Sequence, residues 1–413
     1  MSNEFDKSID LNLFLLKLSG AIPWGRASVA RSVLASVAFF CLSIYTISYT
    51  YEFAIHGAYL TTALESVAMI LSMVGGQLRF TILLLFRDRC QRMLDVCEVL
   101  WSALNPMEKD IVRNYTRKTK RLTCWYLSSC SFTIFFYGIA ALFASSTANE
   151  PIDSGTTNLT NVSSRIMDNE RHLPYAFVVE IKETPWYEMA YTFQLLTMTH
   201  VGFTCVGADT IGPLFALIAC GHFDVIKARL EGSSIEIGTT GGRLWSATST
   251  PTSATTVEDP SREQVDSLRV CLTHHRTLLQ FCEEIERLTN ALFLTQLIGS
   301  TYNISLVGFK LVGDDPDKYK FITQLAIAVI QLFLCNWPAD LLHSKSEAIG
   351  RSAYFSPWYR YPSWLRKPTS LILMRAQRPA RLTAGKFVEL SLETFASMIS
   401  SAASFFALVR SMN

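Results

Sequence analysis

Apolar windows of about twenty residues recur seven times along the chain, at Val33–Tyr51, Tyr59–Leu78, Cys124–Phe143, Tyr187–Thr210, Leu288–Val307, Phe321–Leu342 and Leu390–Val409. Each is long enough to cross a bilayer as a helix, so the pattern predicts an all-α membrane protein with seven transmembrane helices. Two windows have ragged edges. The second carries Glu65 and runs on past Arg79 to Phe86, and the fourth continues past Gly212 and Pro213. Between the windows, Gly232 to Arg262 is rich in Ser, Thr and Gly and reads as a disordered loop. From Gln264 to Arg287 a helical pattern returns, with Leu268, Cys271, Leu272, His275, Leu279, Cys282, Ile285 and Leu288 spaced at threes and fours. That spacing predicts a helix running into the fifth span.

Charge orients the spans, because Lys and Arg are retained on the cytoplasmic side. The segment after the second window holds Arg87, Arg89, Arg92, Lys109, Arg113, Arg117, Lys118, Lys120 and Arg121, and the segment before the last window is similarly basic. The loop from Glu52 to Ala58 has neither Lys nor Arg. An odd number of spans then places the N-terminus in the cytoplasm and the C-terminus outside the cell. Two overlapping sequons, at Asn158 and Asn161, fall in the loop that the charge pattern independently places outside, and are the glycosylation candidates. A third match, at Asn303, lies inside the fifth window, where a glycan has no room. The chain stops soon after Val409, so the last helix itself, rather than a tail behind it, is expected to be the working part.

Composition supports a membrane class, with 49% hydrophobic, 12% aromatic and 17% charged residues over 413 positions. A net charge of +2 implies no nucleic-acid partner. None of the ten cysteines falls in the polar stretch from Ser145 to Pro185, which argues against an extracellular disulfide framework. No P-loop, nucleophile elbow or H-E-x-x-H pattern is present, so no catalytic residue and no cofactor is assigned. His274 and His275 are adjacent and point apart on a helix, so no metal site is assigned either. Glu65 and Asp209, ionisable groups within spans, are read as partners in interhelical hydrogen bonds.

Four blocks carry a resemblance to a known family. They are Leu173-Pro174 with Pro185-Trp186-Tyr187-Glu188, Tyr191 and Gln194; His274-His275-Arg276 with Phe281, Glu283, Glu284 and Ile285; Trp337-Pro338-Ala339-Asp340 with Ser346-Glu347, Tyr354 and Trp358-Tyr359; and Arg375-Ala376-Gln377, Ala384-Gly385-Lys386-Phe387 and Ser391-Leu392-Glu393-Thr394-Phe395. Together they resemble the insect odorant receptors from the fourth span to the end, with a weaker match before it. Ala403 and Phe405 depart from the family, where tyrosines are common.

The resemblance implies an odorant-gated, non-selective cation channel in the lipid bilayer. In it, a ligand-tuned subunit that binds a small volatile organic molecule assembles with a shared odorant co-receptor as a heterotetramer. It implies a multi-pass protein of the plasma membrane, in the ciliary dendrite of olfactory sensory neurons. It further implies a gate at Leu408 and Met412, where an apolar ring can close a pore by dewetting. The expected odorant pocket lies among spans two, three, four and six, at Tyr59, Ala63, Val67, Phe136, Tyr137, Ala140, Phe193, Leu196, Thr197, Thr323 and Ile327. The chain then divides into a cytoplasmic N-terminus (1–32), the first four spans with the pocket (33–220), a cytoplasmic loop (221–287) containing disordered residues 232–262 and a helix at 264–287, spans five and six (288–342), a cytoplasmic anchor region (343–386) and a pore-lining seventh helix (387–413). A gustatory receptor of the same superfamily remains the alternative, although its Thr-Tyr and Gln-Phe signature is missing from the last span. A G-protein-coupled receptor would need the opposite topology.

Overall fold

The computed structural model describes residues 4–21, 28–56, 60–147, 173–175, 181, 183–242, 262–312, 318–356, 358–360 and 363–412. The described residues form helices α1 (Glu4–Ser8), α2 (Asp10–Leu18), α3 (Ser28–His56), α4 (Leu60–Leu85), α5 (Arg87–Ser102), α6 (Pro106–Thr147), α7 (Trp186–Gly242), α8 (Arg262–Val312), α9 (Lys318–Phe355), α10 (Ser363–Ala376) and α11 (Leu392–Met412). A short 3-10 turn at Trp358–Arg360 and a two-stranded antiparallel hairpin, β1 (Thr383–Ala384) and β2 (Val388–Glu389), complete them. By length and composition, α3, α4, α6, α7 and α9 can each cross a membrane. The fifth and seventh apolar windows lie on α8 and α11, so each window has its helix.

Several helices extend well past their windows. The basic segment after the second window is itself helical, as α5 and the first half of α6. Pro106 opens α6 at a position where its missing N–H is no loss, and the Asn105 N–H donates to the Glu108 carboxylate at 3.0 Å in the manner of a capping box. The same carboxylate pairs with Arg229 of α7 at 2.5 Å, tying the two helices below their apolar windows. As the spacing predicted, α8 is continuous from Arg262 through the fifth window. Helix α7 continues to Gly242, into the part of the Ser/Thr/Gly-rich segment read above as disordered. Extending a helix that packing has already nucleated is far easier than starting one. Residues 243–261 lie outside the described residues.

The last helix starts at Leu392 rather than Phe387. Gly385 (φ 61°) and Lys386 (φ 63°) take left-handed conformations, which turn the chain into the hairpin instead of a helix. Three groups then cap α11. Ser391 Oγ accepts the Thr394 N–H at 3.0 Å, Asn336 Oδ1 accepts the Ser391 N–H at 3.2 Å, and Asp340 Oδ1 accepts the Leu392 N–H at 3.3 Å. Asn336 and Asp340 belong to and flank the Trp337-Pro338-Ala339 motif of α9, so this motif positions the start of the last helix. The hairpin is held on α8, where Glu286 accepts both the N–H and the hydroxyl of Thr383. Glu389 is on β2, paired with Arg381 at 2.9 Å.

The main hydrophobic core lies around the second half of α7, between α6, α8 and α9. The N-terminal segment joins it. Phe5, Ile9, Leu13 and Leu16 are buried there, and Asn12 donates to the hydroxyls of Thr123 and Thr210 at 3.1 Å each. The ten cysteines are all free.

Candidate functional site

The helical face of α6 that carries Tyr126, Cys130, Thr133, Ile134 and Tyr137 repeats at threes and fours, and such a repeat falls on one side of a helix. Facing it are Met69 and Met73 of α4, Met198 and Val201 of α7, and Gln324, Ile327 and Gln331 of α9. Between these residues lies a cavity of about 170 Å³. Helix α8, which the sequence did not place at the pocket, supplies Gly299 and Asn303. The lining is mostly apolar, with sulfur and aromatic groups prominent and a few polar groups, which is the usual make-up of a small-molecule site.

One end of the cavity is roofed by Tyr175. Its ring stacks on Tyr137 with centroids 5.3 Å apart, and its backbone is held by Gln194 of α7. The Gln194 side chain accepts the Tyr175 N–H at 3.1 Å and donates to the Tyr175 carbonyl at 3.0 Å. Tyr45 of α3 donates to the Gln194 carbonyl at 3.1 Å and meets Thr197 at 2.6 Å, so the roof is braced from a third helix.

The other end is polar. Arg79 of α4 and Asp209 of α7 form a buried ion pair, Nε to Oδ1 at 2.7 Å. Asp209 Oδ2 accepts from the Tyr126 hydroxyl at 2.7 Å and from Gln331 Nε2 at 3.1 Å. The Gln331 carbonyl in turn accepts from Gln296 of α8 at 3.1 Å. Burying an ion pair is tolerable only when its remaining polar atoms also find partners, and on the carboxylate side α6 and α9 supply them, to Asp209 Oδ2. Asp209 thus has the interhelical role expected of it, and Glu65 has one too, accepting from Lys310 Nζ at 2.7 Å.

The structure brings together only part of the expected pocket set. Tyr137 and Ile327 line the cavity. Thr323 lies one turn from Ile327 on the same face and is buried, with its hydroxyl on the Lys320 carbonyl at 2.8 Å. Thr197 stands behind the roof through Tyr45. Ala63 and Val67 are half-buried further along α4, beyond Met69, and Ala140 is half-buried beyond Tyr137. Phe136 is one residue off the lining face and packs against Phe132 at 4.5 Å. Phe193 and Leu196 point away from the cavity and are exposed. Tyr59, Asn158 and Asn161 lie outside the described residues. Leu408 and Met412 fall on the last turns of α11, with their side chains outside the described residues. The sequence reading missed Arg79, Tyr126, Met198, Tyr175 and Gln331. The i, i+4, i+7, i+11 series from Tyr126 to Tyr137 was legible and would have indicated the face. Asn303, the third sequon match, is buried and bonded to Ser72 at 2.9 Å, which leaves no access for a glycan.

His274 and His275 diverge, as their adjacency requires. His274 meets His222 at 3.2 Å and Arg229 at 3.4 Å, whereas His275 packs on the Phe223 ring. Burial lowers both to about 4, with the Arg229 cation adding to the shift of His274 and Arg375 to that of His275. Among the described residues, no three His, Cys, Asp or Glu side chains converge as a metal set.

Comparison with known proteins agrees with this architecture. The chain is 26% identical to odorant receptor 13a of Drosophila melanogaster over 241 residues, 55% of this chain and 53% of that one. It is 26% identical to odorant receptor Or2 of Anopheles gambiae over 250 residues, 58% of this chain and 61% of that one. These matches span little more than half the length of the relatives. Its fold superposes on the insect olfactory receptor OR5 of Machilis hrabei, solved in complex with eugenol, with a TM-score of 0.69 over 98% of both chains at 13% identity. That likeness establishes an all-α seven-transmembrane fold, and the apolar helices make the chain a multi-pass membrane protein. The family model described as 7tm odorant receptor matches residues 59–403, and the chain belongs to that family.

Proposed function

We propose that this chain is the ligand-tuned subunit of an odorant-gated cation channel. A small volatile organic molecule enters the cavity between α4, α6, α7, α8 and α9 and binds the open state more tightly than the closed one, which shifts the population toward conduction. The chain works with the shared odorant co-receptor as a heterotetramer in the ciliary dendrite membrane of olfactory sensory neurons, with its C-terminus outside. Helix α11 lines the central pore, with Leu408 and Met412 as the apolar gate, and no G protein is needed.

The observation that carries this reading is the physical continuity from cavity to last helix. Gln331 lines the cavity and is bonded to Gln296 and, at 3.4 Å, to Ser300 of α8. The next residue, Thr301, places its hydroxyl 3.5 Å from the Met398 sulfur of α11. A ligand that moves Gln331 therefore has a packed route to the helix that would gate.

Co-expression with the co-receptor, recording odorant-evoked currents with a non-hydrolysable GTP analogue in the pipette, tests the channel. Currents unaffected by the analogue, together with a C-terminal tag that labels on intact cells, are expected. A C-terminal tag that labels only after permeabilisation would overturn the topology, and with it the gate.

A further inference from the structure

The polar end of the cavity holds more hydrogen-bonding capacity than its own contacts use. Arg79 is 5% exposed and lines the cavity. Its Nε faces Asp209 Oδ1, and neither terminal nitrogen makes a hydrogen bond among the described residues. Those two nitrogens carry four N–H donors. Two glycines flank Nη1. A Cβ at Gly75 of α4 would stand 3.4 Å from Nη1, and one at Gly299 of α8 would stand 3.9 Å from it. Asp209, by contrast, has a partner at each oxygen, Oδ1 facing Arg79 Nε and Oδ2 accepting from both Tyr126 and Gln331.

The asymmetry selects among ligands. A neutral acceptor gains charge-assisted hydrogen bonds from a guanidinium whose charge Asp209 already balances. A carboxylate would add a second negative charge to a buried site that is already neutral, and an ammonium would meet the guanidinium directly. A pure hydrocarbon would leave the donors unmet. Gln324, the other amide that α9 contributes to the lining, sits two turns away from Gln331 with its Nε2 on the Met69 sulfur at 3.8 Å, so it cannot take over at the Arg79 end. At the packing density of a protein interior, the cavity volume corresponds to roughly nine heavy atoms.

Resting on the odorant-receptor reading above, we propose that Arg79 is the specificity-determining donor of the cavity, selecting compact ligands with a neutral carbonyl oxygen, such as ketones, aldehydes and esters, over hydrocarbons of the same shape. The expected preference is roughly ten- to a hundredfold in affinity.

The test uses isosteric pairs that differ only in C=O against C=CH2, acetophenone with α-methylstyrene and 2-heptanone with 2-methyl-1-heptene. Binding to the full chain in lipid nanodiscs is read from thermal stabilisation across a concentration series. Wild type should favour each ketone at least tenfold. The double variant R79Q/D209N, which removes both charges so that neither is left unpaired, should bind the hydrocarbons as before while its preference for ketones falls to about twofold or less. Equal affinity within each wild-type pair overturns the proposal and leaves the ligand cavity standing, as does a ketone preference that survives in the double variant. Failure of every compound to stabilise the wild type overturns the cavity as the ligand site and the proposal with it. If the double variant does not fold, the wild-type pairs alone decide.

Discussion

The residues from Trp186 to Leu196 and those from Ile211 to Phe223 belong to one continuous helix, α7, but to two kinds of surroundings. In the first stretch Trp186, Met189, Phe193 and Leu196 are exposed, and the opposite face looks onto the cavity roof. In the second, Leu214 to Cys220 are all completely buried, enclosed by α6, α8 and α9. An exposed apolar residue in a membrane protein faces lipid or another chain and adds little to this chain's own fold, whereas residues buried on every side of a helix hold its neighbours together. The cavity half can therefore keep a void and rearrange around a ligand, because the other half holds the tertiary structure. Asp209, paired with Arg79, marks the boundary between them.

Breaking that boundary should have the largest effect. Asp209→Asn alone leaves a buried guanidinium without its counter-charge, a loss of about 3–5 kcal/mol, and should strongly lower the thermal midpoint of the detergent-purified chain. A midpoint within a few degrees of wild type would mean that solvent reaches the pair. The comparison itself is tested by two leucines on the same helix. Leu217→Ala should cost about 2–5 kcal/mol through transfer and cavity terms, whereas Leu196→Ala, at 67% exposure, should cost less than about 0.5 kcal/mol. Equal costs would remove the distinction between the halves. Gly212→Ala is a smaller perturbation. A Cβ there would lie 2.6 Å from Phe293 Cζ, so overpacking between α7 and α8 should cost about 1–3 kcal/mol, while the ketone preference of the cavity is retained.

The smallest expected effect is a pH dependence confined to the well-packed half. His274 and His275, on the part of α8 that precedes its apolar window, titrate at about 4 in the fold against 6.5 unfolded. With the folded value the lower one, the unfolded chain binds more protons between the two. Their stabilisation is complete above about pH 6.5 and is lost as pH falls from there toward 4. His274 faces His222, Arg229 and Glu108, and His275 faces Phe223 and Arg375, so no uncompensated carboxylate opposes this sign. The thermal midpoint should drop by a few degrees between about pH 7 and pH 5, and His275→Gln should flatten that drop. An unchanged slope in the variant would assign the dependence to other groups.

The seven spans and the extension of α8 below its window were legible in the sequence, because a bilayer-length apolar run and a repeat at threes and fours are local properties of the chain. Part of the cavity was legible for the same reason, since Tyr137 and Ile327 lie on the expected helices. Phe136 shows how narrow that inference is. One residue of error rotates a side chain by about 100° on a helix, and no apolar pattern distinguishes a face toward a cavity from a face toward lipid.

What the sequence determined by itself is therefore the class of molecule and the order of its helices. Hydropathy is summed over a window, and such sums need no knowledge of neighbours. What only the tertiary structure decided is which helices meet and at what register. Arg79 and Asp209 are separated by two further helices' worth of chain, yet they pair at 2.7 Å. Asn12, in a segment that reads only as amphipathic, reaches Thr123 and Thr210. Asn336 and Asp340 cap a helix that begins more than fifty residues later. Each of these contacts depends on the relative rotation and height of whole helices, which the packing of many side chains fixes jointly and no single stretch of sequence encodes.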